Sequence, residues 1–179
     1  MSTTFSATVN LSILFREVLS GALRTGCVLE QSLVEALDLA PGTLDGQINA
    51  AYAATETGIG ASVTTAYDLV GSLKSTDGTT LNFDEVVLIA IRNRSATPAN
   101  YLRIGPAAAN GFGMLTGSTG FWADVSDRNI VNADGDSWTV MYSKAGVAAT
   151  AGTADQLVVI TNSATSANTW DIVILGRDN

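Results

Sequence analysis

The chain contains no histidine and a single cysteine, Cys27. The first absence removes the commonest general base and the commonest metal ligand. The second rules out an intrachain disulfide. Ser-His-Asp and Cys-His nucleophilic machinery cannot be assembled from such a chain alone. A structural zinc site, which draws on Cys and His, has almost nothing to draw on. Charge is scarce too: 15% of residues are charged, against roughly 25% in an average soluble domain. Lys and Arg number nine against seventeen Asp and Glu, a formal net charge of −8, and the basic residues form no run. Phosphate neutralisation needs clustered cations, so no nucleic-acid partner is expected. The best apolar run, Val86 to Ile91, is far short of the roughly 20 residues of a membrane span. The start, Met1-Ser2-Thr3-Thr4-Phe5, has no positive leader region. No membrane partner and no export signal are therefore expected.

What fills the gap is small and weakly polar. Hydrophobic residues, Ala among them, make up 46% of the 179, and Gly, Ser and Thr supply much of the rest. That length suffices for one domain with its own core. A chain with so few charges must bury most of its surface or expose weakly polar faces. The second option suits a subunit that lives packed against other subunits.

Period-two alternation opens the sequence. Phe5, Ala7, Val9, Leu11, Ile13 and Phe15 fall on one face, and Ser6, Thr8, Asn10 and Ser12 on the other. This predicts a half-buried strand that continues to Leu19, then a turn at Ser20-Gly21. Cys27 to Leu39 admits two readings. Val28, Leu29, Leu33, Val34 and Leu37 make an amphipathic helical stripe, while Gln31 to Ala36 also fits a strand. Pro41-Gly42 ends either one. Residues 1–40 are thus expected to form an N-terminal arm or strand segment with room for a short helix.

From 41 to 179 the pattern is β throughout. Asp45-Gly46 is a turn, Ile48, Ala50 and Tyr52 alternate, and Gly58-Ile59-Gly60 breaks the run. Asp77-Gly78 marks a hairpin between Leu73 and Leu81. The continuous run Val86 to Ile91 predicts a strand buried on both faces. Further strands are expected at Tyr101 to Ile104, Phe121 to Val125, Ile130-Val131, Trp138 to Tyr142, Leu157 to Ile160 and Trp170 to Leu175. Turns roughly every 8–12 residues indicate a sandwich or barrel. The long Gly- and Ala-rich excursion from Gly105 to Gly120 suits a Greek-key crossover. The fold class expected is all-β: an antiparallel, jelly-roll-like β-sandwich with an extended N-terminal segment.

Chemistry-bearing motifs are few. Asn132-Ala133-Asp134-Gly135-Asp136 places oxygen ligands at alternate positions, as a calcium loop does. The acidic twelfth ligand of an EF-hand would fall at Ser143, so the match fails and an Asp-Gly turn is expected. Gly58-Ile59-Gly60-Ala61-Ser62 and Gly111-Phe112-Gly113 lack the full nucleotide-loop spacing and are expected to be turns. Asp84-Glu85 are adjacent, so on a strand they point to opposite faces and cannot flank one glycosidic bond. Phe121-Trp122 is a candidate for one buried and one exposed aromatic, an exposed Trp being a contact anchor or sugar platform. Packing of both against the core is the alternative. No catalytic, cofactor-binding or metal-binding residue is assigned, and no cofactor is expected.

One resemblance adds to this. Its elements run from Tyr67-Asp68-Leu69 through Asp77-Gly78-Thr79 and Ile91-Arg92-Asn93 to Ile104-Gly105 and Ala109-Asn110-Gly111-Phe112. They continue through Thr153-Ala154-Asp155-Gln156-Leu157 and Ile160-Thr161-Asn162, and close on Thr169-Trp170-Asp171-Ile172-Val173-Ile174-Leu175-Gly176. The pattern resembles small virion proteins of tailed phages, described as head decoration, cement or head-fibre proteins. It covers about three-fifths of the chain and leaves the first 40 residues outside. The resemblance implies a non-enzymatic bacteriophage structural protein, made in the host cytoplasm and carried on the virion, with the capsid surface as its place. Its partners would be the major capsid protein, or other virion proteins, and further copies of itself. A homotrimer is expected because capsid lattices offer threefold positions. The alternative is a head-fibre or tail-associated protein that binds a receptor or carbohydrate. The N-terminal alternating segment is expected to pair with a neighbour by strand addition.

Overall fold

The structure, a computed structural model, describes residues 7–19, 27–75, 77–114, 120–162 and 167–178. Over most of the first two strands it is the backbone that is described. The strands are β1 (Ala7–Leu19), β2 (Cys27–Pro41), β3 (Gln47–Ile48), β4 (Ala50–Ile59), β5 (Thr64–Asp68), β6 (Val70–Lys74), β7 (Thr80–Asn82), β8 (Glu85–Asn93), β9 (Leu102–Pro106), β10 (Asn129–Val131), β11 (Ser137–Ala148), β12 (Gln156–Thr161) and β13 (Asn168–Arg177). Among the described residues the only helical element is one 3₁₀ turn, Pro98–Asn100.

Eight of these strands build a sandwich. One sheet has the order β11-β8-β13-β4 and the other β10-β9-β12-β5. Counted along the chain, the first sandwich strand pairs with the eighth, the second with the seventh, the third with the sixth and the fourth with the fifth. That is a long antiparallel hairpin rolled upon itself, the topology of a jelly roll. The expected fold class is thus the observed one.

The core between the sheets comes from inward positions on both. Ile89 and Ile91 on β8 and Ile172 and Ile174 on β13 face Leu102, Ile104, Leu157 and Val159 of the other sheet. Trp170 and Tyr67 lie in the same core, with the indole Nε1 donating to the Tyr67 hydroxyl at 3.0 Å. Burial in this setting pushes the Tyr67 phenol well above its ordinary value, and the nearby Glu56 charge adds to that; the indole hydrogen bond opposes them only in part.

A second, smaller core lies on the outer face of the β11-β8-β13-β4 sheet. Leu39 at the end of β2 and Ile48 of β3 cover Val87, Leu88 and Leu175, with Leu37 alongside. This explains the unbroken apolar run Val86 to Ile91. An antiparallel strand normally alternates because one face meets water. Here Val86, Ile89 and Ile91 serve the inner core, and Val87 and Leu88 serve the outer one. The register slips at Val87, where Leu88 pairs with Leu175 but Val86 pairs with Gly176, as a β-bulge requires.

Three expectations need correction. The helix admitted within Cys27–Leu39 is a strand, because β2 pairs with β1 residue for residue from Leu19 opposite Cys27 to Ala7 opposite Leu39. Leu29, Leu33, Leu37 and Leu39 fit both periods, and cross-strand pairing decides between them. The turn placed at Ser20-Gly21 lies outside the described residues. The run breaks at Gly58-Ile59-Gly60 as expected, since β4 ends at Ile59, one residue after Gly58. Gly58 itself sits at φ +68° in a bulge of β4, with Asn168 opposite Ile59 and Trp170 opposite Glu56. Phe121 to Val125 is no strand, because side chains capture its backbone: the Asp127 carboxylate accepts from the amides of Ala123 at 3.0 Å and Asp124 at 2.9 Å. Finally, the excursion after Gly105 is no crossover. It joins β9 to β10, neighbours in one sheet, whereas the connections between other consecutive sandwich strands pass from sheet to sheet. The hairpin at Asp77-Gly78 stands as expected, joining β6 to β7.

Candidate interaction surface

The strongest functional feature is a face and not a pocket. Register fixes three rows of side chains across the outer face of β11, β8, β13 and β4. The first row is Tyr142, Leu88, Leu175 and Ala51. The second is Val140, Ala90, Val173 and Ala53. The third is Trp138, Arg92, Asp171 and Thr55. The root of the arm formed by β1 and β2 covers Leu88 and Leu175 in the first row. The second row is only partly covered: Ala90 and Val173 are partly buried against the smaller core, while Val140 is 48% exposed and Ala53 is exposed as well. Trp138 and Tyr142 are 54% and 39% exposed. An apolar band thus runs outward from the smaller core, and β11 is the edge strand of its sheet, with no strand paired to its outer side among the described residues.

The third row closes the band with charge. Arg94 Nε donates to the Asp171 carboxylate at 2.7 Å, Thr55 Oγ1 donates to it at 2.7 Å, and Arg92 lies 3.8 Å from it. Burial alone would raise the Asp171 carboxyl. The hydrogen bonds from Arg94 and Thr55 and the two guanidinium charges outweigh burial and hold it below the ordinary carboxylate range. Arg92 also donates to Asp136, whose carboxyl that bond holds low. The Arg92 guanidinium lies over the Trp138 ring, 5.5 Å from its centroid, in cation–π contact.

The root of the arm is pinned from below. Arg177, 1% exposed, donates from Nε to Glu85 at 2.6 Å and from Nη1 to the Leu44 carbonyl at 2.7 Å, and from Nη2 to the Ala145 carbonyl. One side chain thereby ties the turn after β2, the bulge of β11 and the start of β8.

The sequence motifs scatter. Asp134 accepts from Ser137 Oγ at 2.6 Å and Asp136 serves Arg92, so the carboxylates of Asn132–Asp136 are engaged with their own neighbours. Among the described residues no group of three Cys, Asp or Glu converges as a metal site would require. Glu85 is bound to Arg177, and Asp84 lies in the turn before β8. Gly111-Phe112-Gly113 is a loop that drives Phe112 into the core. Gly113 has φ +82°, and a Cβ there would meet the Trp122 ring at 2.6 Å. Phe121 and Trp122 both pack inward, with their rings edge-on at 5.6 Å. The exposed tryptophan is Trp138, which sequence reasoning placed on a strand without facing it outward. Alternation put Trp138, Val140 and Tyr142 on one side of that strand, but nothing in the sequence said which side meets water.

No family model, no curated protein and no solved structure matches this chain.

Proposed function

We propose that this chain is a non-enzymatic structural protein of a tailed-phage particle. The role put first is a decoration or cement protein that binds the major capsid protein lattice at the capsid surface and stabilises it. The carrying observation is the union, in one chain, of a jelly-roll sandwich with a ribbon of thirteen residue pairs rooted on its outer sheet. The sandwich has its own closed core. An isolated two-stranded ribbon is marginal in water, so this arm is built to be completed by a neighbour. Strand addition supplies main-chain hydrogen bonds for that purpose. The carboxylates of Glu85, Asp136 and Asp171 are engaged by arginines, and the chain has no histidine. What the molecule offers is surface. Jelly rolls serve viral capsids and lectins alike, and the choice of the virion rests on the resemblance of Tyr67 to Gly176.

A second reading has one observation in its favour. Trp138, exposed beside Arg92 and Asp171, has the form of an aromatic sugar platform. It supports a head-fibre or tail-associated protein that binds a receptor or carbohydrate.

Mass spectrometry and imaging of purified particles of the phage encoding the chain test both readings. Density for the jelly roll on the capsid shell is the expected result, density on a fibre or tail moves the protein to the second reading, and absence from particles overturns both.

A further inference from the structure

The register of the arm sorts its side-chain positions into two unlike faces. Cross-strand partners share a face. One face carries the pairs Thr8–Asp38, Asn10–Ala36 and Arg16–Glu30 among its members. On the other, eleven of fourteen positions are apolar, and the exceptions are Glu17, Gln31 and Glu35. The described root fixes which is which. Leu39 is buried and Leu37 packs against the smaller core, while Thr8 and Asp38 are exposed and hydrogen-bonded to each other at 2.9 Å. At the root, then, the face that carries Leu37 and Leu39 is the one turned towards the β11-β8-β13-β4 sheet. At fifteen residues β2 is the longest strand among the described residues, about 50 Å when extended.

The same chain thus holds an apolar ribbon face and an apolar row, Val140, Ala90, Val173 and Ala53, whose two ends, Val140 and Ala53, are exposed while Ala90 and Val173 are partly buried against the smaller core. Their chemistry already meets once, at the root, where Leu37 and Leu39 lie on Leu88 and Leu175. Charge agrees as well: the exceptions on the ribbon face include two glutamates, and Arg92 and Arg94 border the band. We infer that the partly covered band of one copy receives the arm of a second copy of this chain. The interface continues outward from the smaller core, and the exchanged arm covers Val140, Trp138 and Tyr142. This deepens the proposal that the protein binds itself and its neighbours, and it names the surface and the partner segment.

Two full-length variants separate the halves of the contact. Ile13→Asp puts a charge on the ribbon face and leaves the band intact. Val140→Asp does the reverse on an exposed residue. Circular dichroism and thermal melts establish that each is folded, and Ala53→Asp replaces Val140→Asp if that one is not. Sedimentation velocity at micromolar concentration should show an assembled wild type and at least about tenfold weaker association for each variant alone. Mixing the two variants should restore a one-to-one complex, since one supplies an intact arm and the other an intact band.

Association that survives Val140→Asp and Ala53→Asp, or survives Ile13→Asp, overturns the exchange. So does failure of the mixture to associate. A wild type that sediments at 18.5 kDa also overturns it. If that monomer still binds particles, only this inference falls. If the protein assembles through its arms but is absent from particles, only the virion reading falls. Binding of Ile13→Asp to capsids with unchanged affinity is expected. Its loss, with self-association intact, would assign the arm to the capsid and refute the exchange.

Discussion

Arg177 carries a full charge to a place that water barely reaches, and it is kept there by four acceptors on three segments. Besides Glu85 and the carbonyls of Leu44 and Ala145, Asp45 lies 3.8 Å away. Arg177→Met would remove the charge but leave the Ala145 carbonyl and the Glu85 carboxylate without their donor, while the Leu44 carbonyl keeps the Gln47 amide. The expected loss is about 3 kcal/mol, the lower end for breaking a buried pair because Glu85 is partly exposed, and urea unfolding measures it. Asp171 gives a prediction with a sign. Its carboxyl is depressed in the folded state, so it contributes stability above the ordinary carboxylate range. That contribution fades as pH falls below about 4 and is gone below the folded value. Asp171→Asn should therefore cost on the order of 1 kcal/mol at pH 7. The gap from wild type should close as pH drops towards 2. A gap that widens in acid would contradict the arrangement around Arg94.

At the scale of elements, β9 shows how a loop becomes part of a sheet. Gly105 pairs with Val158, and the backbone at Asp127 crosses directly above it. A Cβ at Gly105 would meet the Asp127 carbonyl at 2.5 Å and Arg128 Cδ at 2.6 Å. Gly105→Val must lift that loop, and overpacking of this kind costs about 2 kcal/mol. The expected result is a lowered melting temperature with unchanged β content, together with faster amide exchange around Asp127. β11 shows the opposite case, a strand without cover. Trp122 and Trp170 are buried while Trp138 is exposed, so the red-edge fluorescence of the protein belongs to Trp138. Assembly should shift that emission to the blue with rising concentration, and Trp138→Phe should abolish the shift. β1 and β11 share one physical condition, since each is an edge strand with no further strand paired to it among the described residues.

For the molecule as a whole, the contact proposed between copies is mainly apolar. Its ion pairs sit at the border of the band, at Arg92 and Arg94. Association should therefore persist in about 1 M salt, where the Debye length is roughly 3 Å. Light scattering across a salt series is the measurement. Dissociation with rising salt would assign the contact to the charged row instead of the band. A trimer is the expected copy number, on the argument that a capsid lattice offers threefold positions and closed symmetry protects edges.

The sequence by itself determined the class of fold, because period-two alternation and turn residues are local signals. Asp77-Gly78, the strand from Trp138 to Tyr142 and the doubly buried Val86 to Ile91 were all legible in it. It also determined which chemistry is out of reach, since a chain without histidine cannot build the machinery that needs one. The tertiary structure decided what depends on distant partners. Cys27–Pro41 is a strand only because Ala7–Leu19 lies beside it, and local periodicity fits helix as well. The segment Phe121 to Val125 looked like a strand until the Asp127 carboxylate took its amides. The face of Trp138, Val140 and Tyr142 could not be read either. Alternation says that these three share a side, but which side meets water depends on what lies across the sheet. On the inner side is the second sheet of the jelly roll. On the outer side is the root of an arm whose Leu37 and Leu39 share a core with Leu88 and Leu175 and leave Ala90 and Val173 only partly buried.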